Sequence, residues 1–171
     1  VQRIESKAFK ECSNLSEIHL PSLLERIEAE EFSGCVALEN IQLPEHLESI
    51  EIEAFDRCTG LTKIKIPDGV TYLDSHVFLG CSNLVSVNLP QGLKTLYGYT
   101  FYGCSKLSSV ELPNDILEIG EYAFYECGAL EKIVLPESLR EIGLGAFASC
   151  EMLTQLVLPE NLEKIDPYAF M

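Results

Sequence analysis

The chain has 171 residues, 47% of them hydrophobic, which is enough to bury one sizeable core and too many for a disordered segment. It carries 27 acidic against 12 basic residues, a formal net charge of −15, and no two Lys or Arg residues adjoin. Such a chain repels polyanions and lacks the basic stripe that displaces phosphate counterions, so nucleic acid is excluded as a partner.

Read along its length, the chain repeats itself. Phe stands at 9, 32, 55, 78, 101, 124, 147 and 170, Cys at 12, 35, 58, 81, 104, 127 and 150, and Pro at 21, 44, 67, 90, 113, 136 and 159. Each series advances by 23 residues without an insertion or deletion, which marks a repeat architecture. The column that begins at Leu15 is Leu in every unit, while that of Ile18 reads Ile41, Ile64, Val87, Val110, Ile133 and Leu156. The unit is L-x-x-I-x-L-P-x-x-L-x-x-I-x-x-x-A-F-x-x-C-x-x.

Taken in chain order, one unit predicts three short pieces. In the unit that begins at Leu61, Ile64 and Ile66 alternate with Lys63 and Lys65, the period of a strand with one buried face, and Pro67 ends it. Val70 and Leu73 then mark a second short extended piece. The Ala-Phe-x-x-Cys segment, as in Ala123, Phe124 and Cys127, has spacing suited to one tight helical turn. So thin a coil cannot bury its apolar face alone, so the expectation is about seven stacked repeats forming one solenoid over residues 1–171.

The stretch from Ser75 to Leu93 has no charged residue and is long enough to suggest a membrane span. Its Asn83, Asn88, Pro90 and Gly92 fall in phase with other units, so it reads as one more repeat and not as an inserted helix. Both ends cut the repeat in mid-phase, Val1 aligning with Leu24 and Met171 with Lys10. The expectation is a fragment of a longer protein, whose open ends favour end-to-end self-association.

The segment A-F-x-x-C-x-x-L-x-x-I-x-L-P, as in Ala54, Phe55, Cys58, Ile66 and Pro67, resembles the BspA-type leucine-rich repeat of bacterial and protozoan surface proteins, over the whole chain. Glu31, Val77 and Thr100 replace the Ala of the Ala-Phe pair, and the Gly common after the second Ile occurs only at Gly120 and Gly143. The resemblance implies an α/β solenoid, a right-handed leucine-rich-repeat coil with a parallel β-sheet face, short second strands and short helical turns. It also implies a cell-surface or secreted location and a role in adhesion or protein binding.

No chemical site emerges. The cysteines follow the Phe column inward and lack Cys-x-x-Cys spacing, which favours buried free thiols over disulfides or metal ligands. His19, His46 and His76 lie in three different columns and read as surface residues, so no triad or ligand set assembles. The acidic columns Glu28, Glu51, Asp74 and Glu45, Asp68, Glu137, Glu160 lack the D-x-D-x-D-G pattern of a calcium loop and read as a solvated edge. The chain is expected to be no enzyme and to need no cofactor.

Two surfaces remain as candidates for a protein partner. The outward strand columns contain Lys63, Lys65, Asn88, Glu111 and Lys132, a polar face nearly balanced in charge. Tyr97, Tyr99, Tyr102, Tyr122 and Tyr125 come from two consecutive units, with Tyr99 over Tyr122 and Tyr102 over Tyr125, a patch suited to an interface or to shielding the turn edge. The leading expectation is a non-enzymatic binding or adhesion module. The alternative is a structural spacer that carries another functional domain.

Overall fold

Alternating short apolar pieces closed by Pro can form only brief strands, and the computed structural model, which describes residues 3–171, contains eleven of them. They are β1 (Arg26–Ile27), β2 (Ser49–Ile50), β3 (Lys63–Lys65), β4 (Tyr72–Leu73), β5 (Ser86–Asn88), β6 (Thr95–Leu96), β7 (Ser109–Glu111), β8 (Glu118–Ile119), β9 (Lys132–Ile133), β10 (Glu141–Ile142) and β11 (Lys164–Ile165). All pairing is parallel, and every partner lies one repeat away: Lys63 faces Ser86, Ser86 faces Ser109, and Ser109 faces Lys132. The chain is thus a parallel β-solenoid.

One edge of each coil forms the sheet β3-β5-β7-β9, extended toward the N-terminus by an isolated bridge between His19 and Gln42. The second edge forms two sheets, β1-β2-β4 and β6-β8-β10-β11. Six steps of one repeat carry the chain from Arg26 in β1 to Lys164 in β11, and the expectation of about seven repeats is corrected to about six turns. The seventh unit is incomplete as structure. Around Leu156 no strand forms.

The expected helical turns are also corrected: among the described residues there is no helix. In the second coil Glu31, Ser33 and Cys35 donate their amides back to the carbonyls of Glu28, Glu30 and Phe32 at 3.0–3.2 Å. The intervening amides of Glu30, Phe32 and Gly34 instead donate outward, to Ile52, Ala54 and Asp56 of the next coil at 2.8–2.9 Å. A helix would need every amide to turn inward. Left-handed backbone at Glu30 (φ 54°) and Gly34 (φ 75°) produces the alternation, and equivalent left-handed residues recur from Lys7 to Tyr168.

The second edge is interrupted between β4 and β6, where the residues at one corner change in size. This corner carries Glu28, Glu51 and Asp74 in the N-terminal half, Tyr97 at the changeover, then Gly120, Gly143 and Asp166. A Cβ on Gly120 would lie 2.6 Å from the Gly98 amide nitrogen, and one on Gly143 would lie 2.7 Å from that of Glu121. The C-terminal coils therefore meet more closely there than side chains allow.

Inside the coils Phe32, Phe55, Phe78, Phe101 and Phe124 are fully buried. Successive rings from Phe9 to Phe170 stack nearly parallel with centroids 5.1–5.6 Å apart, an offset geometry near the strand spacing. Beside this column the Cys81 thiol donates to the Phe55 carbonyl at 3.1 Å, and Cys35, Cys58, Cys104, Cys127 and Cys150 repeat the bond. Each thiol therefore ties its own coil to the one before. Phe78→Ala is expected to cost about 3–5 kcal/mol in denaturant unfolding. Phe170→Ala, at a ring already 41% exposed, should cost clearly less.

Candidate functional site

The exposed side of β3-β5-β7-β9 is built by strand alternation, which turns Ile64, Val87, Val110 and Ile133 inward and leaves every second residue in water. Register places Lys65 beside Asn88 and Asn88 beside Glu111, while Lys63 and Lys132 are three strands apart across Ser86 and Ser109. Among the described residues none of these three lysines makes an ion pair. The columns end apolar: Val134 and Val157 are 66% and 82% exposed and line a shallow groove with Lys132, Met152 and Leu156.

The tyrosines divide into two groups. Tyr99, Tyr102, Tyr122 and Tyr125 form one half-buried cluster, with Tyr102 and Tyr125 stacked at 4.8 Å and Tyr99 and Tyr122 tilted against each other at 5.2 Å. Tyr97 turns away to pack against Tyr72 at 5.6 Å. His76, read from the sequence as a surface residue, is partly buried and stacks flat on Tyr99 at 4.6 Å, so it extends the cluster by one coil. The signal was its place one repeat before Tyr99. Burial, and then the charge of a nearby carboxylate, raises the Tyr99 and Tyr102 hydroxyls above their ordinary range, with Glu121 beside the first and Glu126 beside the second.

All seven cysteines carry free thiols; Cys35 through Cys127 are buried, Cys150 partly so, and Cys12 is exposed. Loss of hydration pushes the Cys35 thiol up to about 11 and the Cys150 thiol to about 12, while those of Cys81, Cys104 and Cys127 rise well above the ordinary value. These thiols hold protons at neutral pH and act as hydrogen-bond donors to the backbone. Among the described residues no three His, Cys, Asp or Glu side chains converge to hold a metal ion. No helix among them is long and apolar enough to cross a membrane.

Two carboxyl groups inside the turn face escape a reading by columns. Asp56 is buried, accepts from Ser33 Oγ at 3.2 Å and from Arg57 Nε at 3.0 Å, and leaves Oδ1 without a partner. Glu31 stands in the column otherwise held by Ala54, Val77, Thr100 and Ala123, all buried. Its Oε2 accepts from the Glu28 amide at 2.8 Å, and its buried Oε1 has no partner. The replacement of Ala by Glu31 therefore puts an acid where a methyl group is usual.

The family described as BspA type Leucine rich repeat region matches residues 1–99 and 74–171, in 6 copies, and the chain belongs to that family. A leucine-rich repeat protein from Bacteroides ovatus superposes with a TM-score of 0.87 at 36% identity, over 94% of this chain and 42% of its own. The leucine-rich repeat protein of T. pallidum gives 0.81 at 31% identity over 94% of this chain and 72% of its own. A leucine-rich cell surface protein from Faecalibacterium prausnitzii gives 0.64 at 26% identity over 99% and 54%. The chain thus spans less than half the length of the Bacteroides ovatus protein. No curated protein matches it. Leucine-rich repeat proteins are in general non-catalytic binding modules.

The buried acid gives stability a pH dependence. Loss of hydration pushes the Glu31 carboxyl up to about 7 from 4.5, with the Glu28 amide bond offsetting part of the rise. Between those values the folded chain holds a proton that the unfolded chain has released, so stability falls as pH rises through the window. Glu31→Ala should accordingly stabilise the chain by about 1–3 kcal/mol at pH 8, a gain that shrinks toward pH 4.5. Urea titrations of both chains across that range check it, and a gain independent of pH would place the carboxyl in water.

Proposed function

We propose that the chain is a non-enzymatic protein-binding or adhesion module of a surface-exposed or secreted protein. The observation that carries this reading is a continuous parallel sheet face whose outward columns vary in chemistry over an apolar core repeated turn by turn. Kinship with a leucine-rich cell surface protein supports the location. A scaffold of this kind presents side chains at fixed intervals without having to order them on binding, which lowers the entropic cost of association.

On the sheet face Lys63, Lys65 and Lys132 are the residues proposed to meet the partner, flanked by Asn88 and Glu111. Lysines without a local counterion in a chain of net charge −15 favour a partner with acidic groups. Every ligand group there is expected to bind by contact alone, since no acid, base and nucleophile converge. With a partner recovered on the immobilised chain, Lys63→Ala/Lys65→Ala/Lys132→Ala should weaken binding by about tenfold or more, mainly through slower association and lost salt dependence. Surface plasmon resonance at two salt concentrations reads both, and unchanged kinetics would remove the sheet face from the proposal.

A further inference from the structure

The turn face that carries the left-handed residues is divided by charge. In the N-terminal coils its cations are all matched: Lys7 and Lys10 both reach Glu30, and Arg57 lies 3.0 Å from Asp56 and 3.6 Å from Glu11. In the following coils the same columns carry His76, Tyr99, Tyr102, Tyr122 and Tyr125. The acids that accompany them, Glu121 and Glu126, are exposed and make no ion pair among the described residues. In one half of the face every cation is matched; the other joins aromatic rings to carboxylates that lack cations.

We propose that this aromatic half is a docking surface for an arginine-bearing segment of a partner protein, with the guanidinium seated on the tyrosine cluster beside Glu121 and Glu126. The face of an aromatic ring attracts cations through the quadrupole, and the planar guanidinium both stacks on such a face and forks onto carboxylates. A lysine ammonium is held in water more strongly and lacks the planar fit. The rings are already ordered by stacking, as in the 4.8 Å Tyr102–Tyr125 pair and the flat His76–Tyr99 pair, so little side-chain freedom is lost on binding. Tyr122 is fixed further by Gly145, where an added Cβ would sit 2.5 Å from its ring. A second copy of this chain is disfavoured as occupant by its own charge of −15.

This inference rests on the reading of the chain as a protein-binding module but uses a different face from the lysines. The probe is a fluorescein-labelled Gly-Ser peptide with two arginines, titrated by anisotropy at ~0.15 M salt, where long-range attraction to a merely acidic surface is screened. Glu121→Gln/Glu126→Gln should weaken binding by about tenfold, and Tyr102→Leu/Tyr125→Leu by about fivefold with apolar area retained. The same charge removed from the second edge, by Glu118→Gln/Glu141→Gln, should change it less than about twofold. Circular dichroism melts confirm that each variant folds. Absence of binding to the wild-type chain, equal weakening by the Glu118/Glu141 pair, or retention by the tyrosine variant overturns the proposal. So does a mass that rises with chain concentration in light scattering and is abolished at Glu121 and Glu126, which would assign the face to a second copy. None of these outcomes touches the sheet-face reading, whose readout is the lysine variant.

Discussion

Half of the backbone donors in every turn segment have no acceptor within their own coil. The amides of Glu30, Phe32 and Gly34 reach Ile52, Ala54 and Asp56, and the same outward set recurs coil after coil. Buried amides left unpaired would cost more than the turn could repay, so each coil is obliged to sit at one fixed offset from the next. That obligation fixes the register of the sheets, brings the phenylalanine rings into offset contact and places each thiol under a carbonyl. Removing one coil's ring weakens both neighbours, which is the sense in which stability here is a sum over interfaces.

The same constraint shapes what the surface can do. Inward positions have little freedom, because a side chain there must fit between neighbours of its own column; Glu31, an acid in such a column, lowers stability as it ionises. Outward positions are bound only by spacing. The sheet columns and the turn columns can therefore carry lysine, valine or tyrosine at will, and chemistry becomes local to a few coils: unpaired lysines on one face, stacked tyrosines beside Glu121 and Glu126 on another. The chemistry that such a fold offers at its surface follows from which coils differ.

Much of the fold was legible in the sequence because its signals are periodic. The Phe, Cys and Pro combs gave the stacking and the buried columns, and alternation around Ile64 gave the sheet face. The turns were misread because Ala123, Phe124 and Cys127 have helical spacing while the backbone around them alternates hands, and left-handed positions filled by Glu30, Tyr99 and Tyr122 carry no glycine signature. Around Leu156 no strand forms although its column is apolar, so the column pattern alone does not decide where a strand is made. For the candidate surfaces, column arithmetic paired Tyr99 with Tyr122 and Tyr102 with Tyr125, but it could not show that Tyr97 turns to Tyr72 or that His76 closes the cluster. Those depend on which way a ring leans at a corner where one coil ends in Asp74 and the next in Tyr97.

The claim that like residues lie directly above one another in dry columns is tested most directly by thiol accessibility. Alkylation of the native chain, followed site by site by mass spectrometry, should modify exposed Cys12 at the rate of a free thiol. Cys58, Cys81, Cys104 and Cys127 should stay unmodified until unfolding releases them together. Modification of those four at the rate of Cys12 in native buffer would mean that the columns are wet, and the stacked architecture would be contradicted.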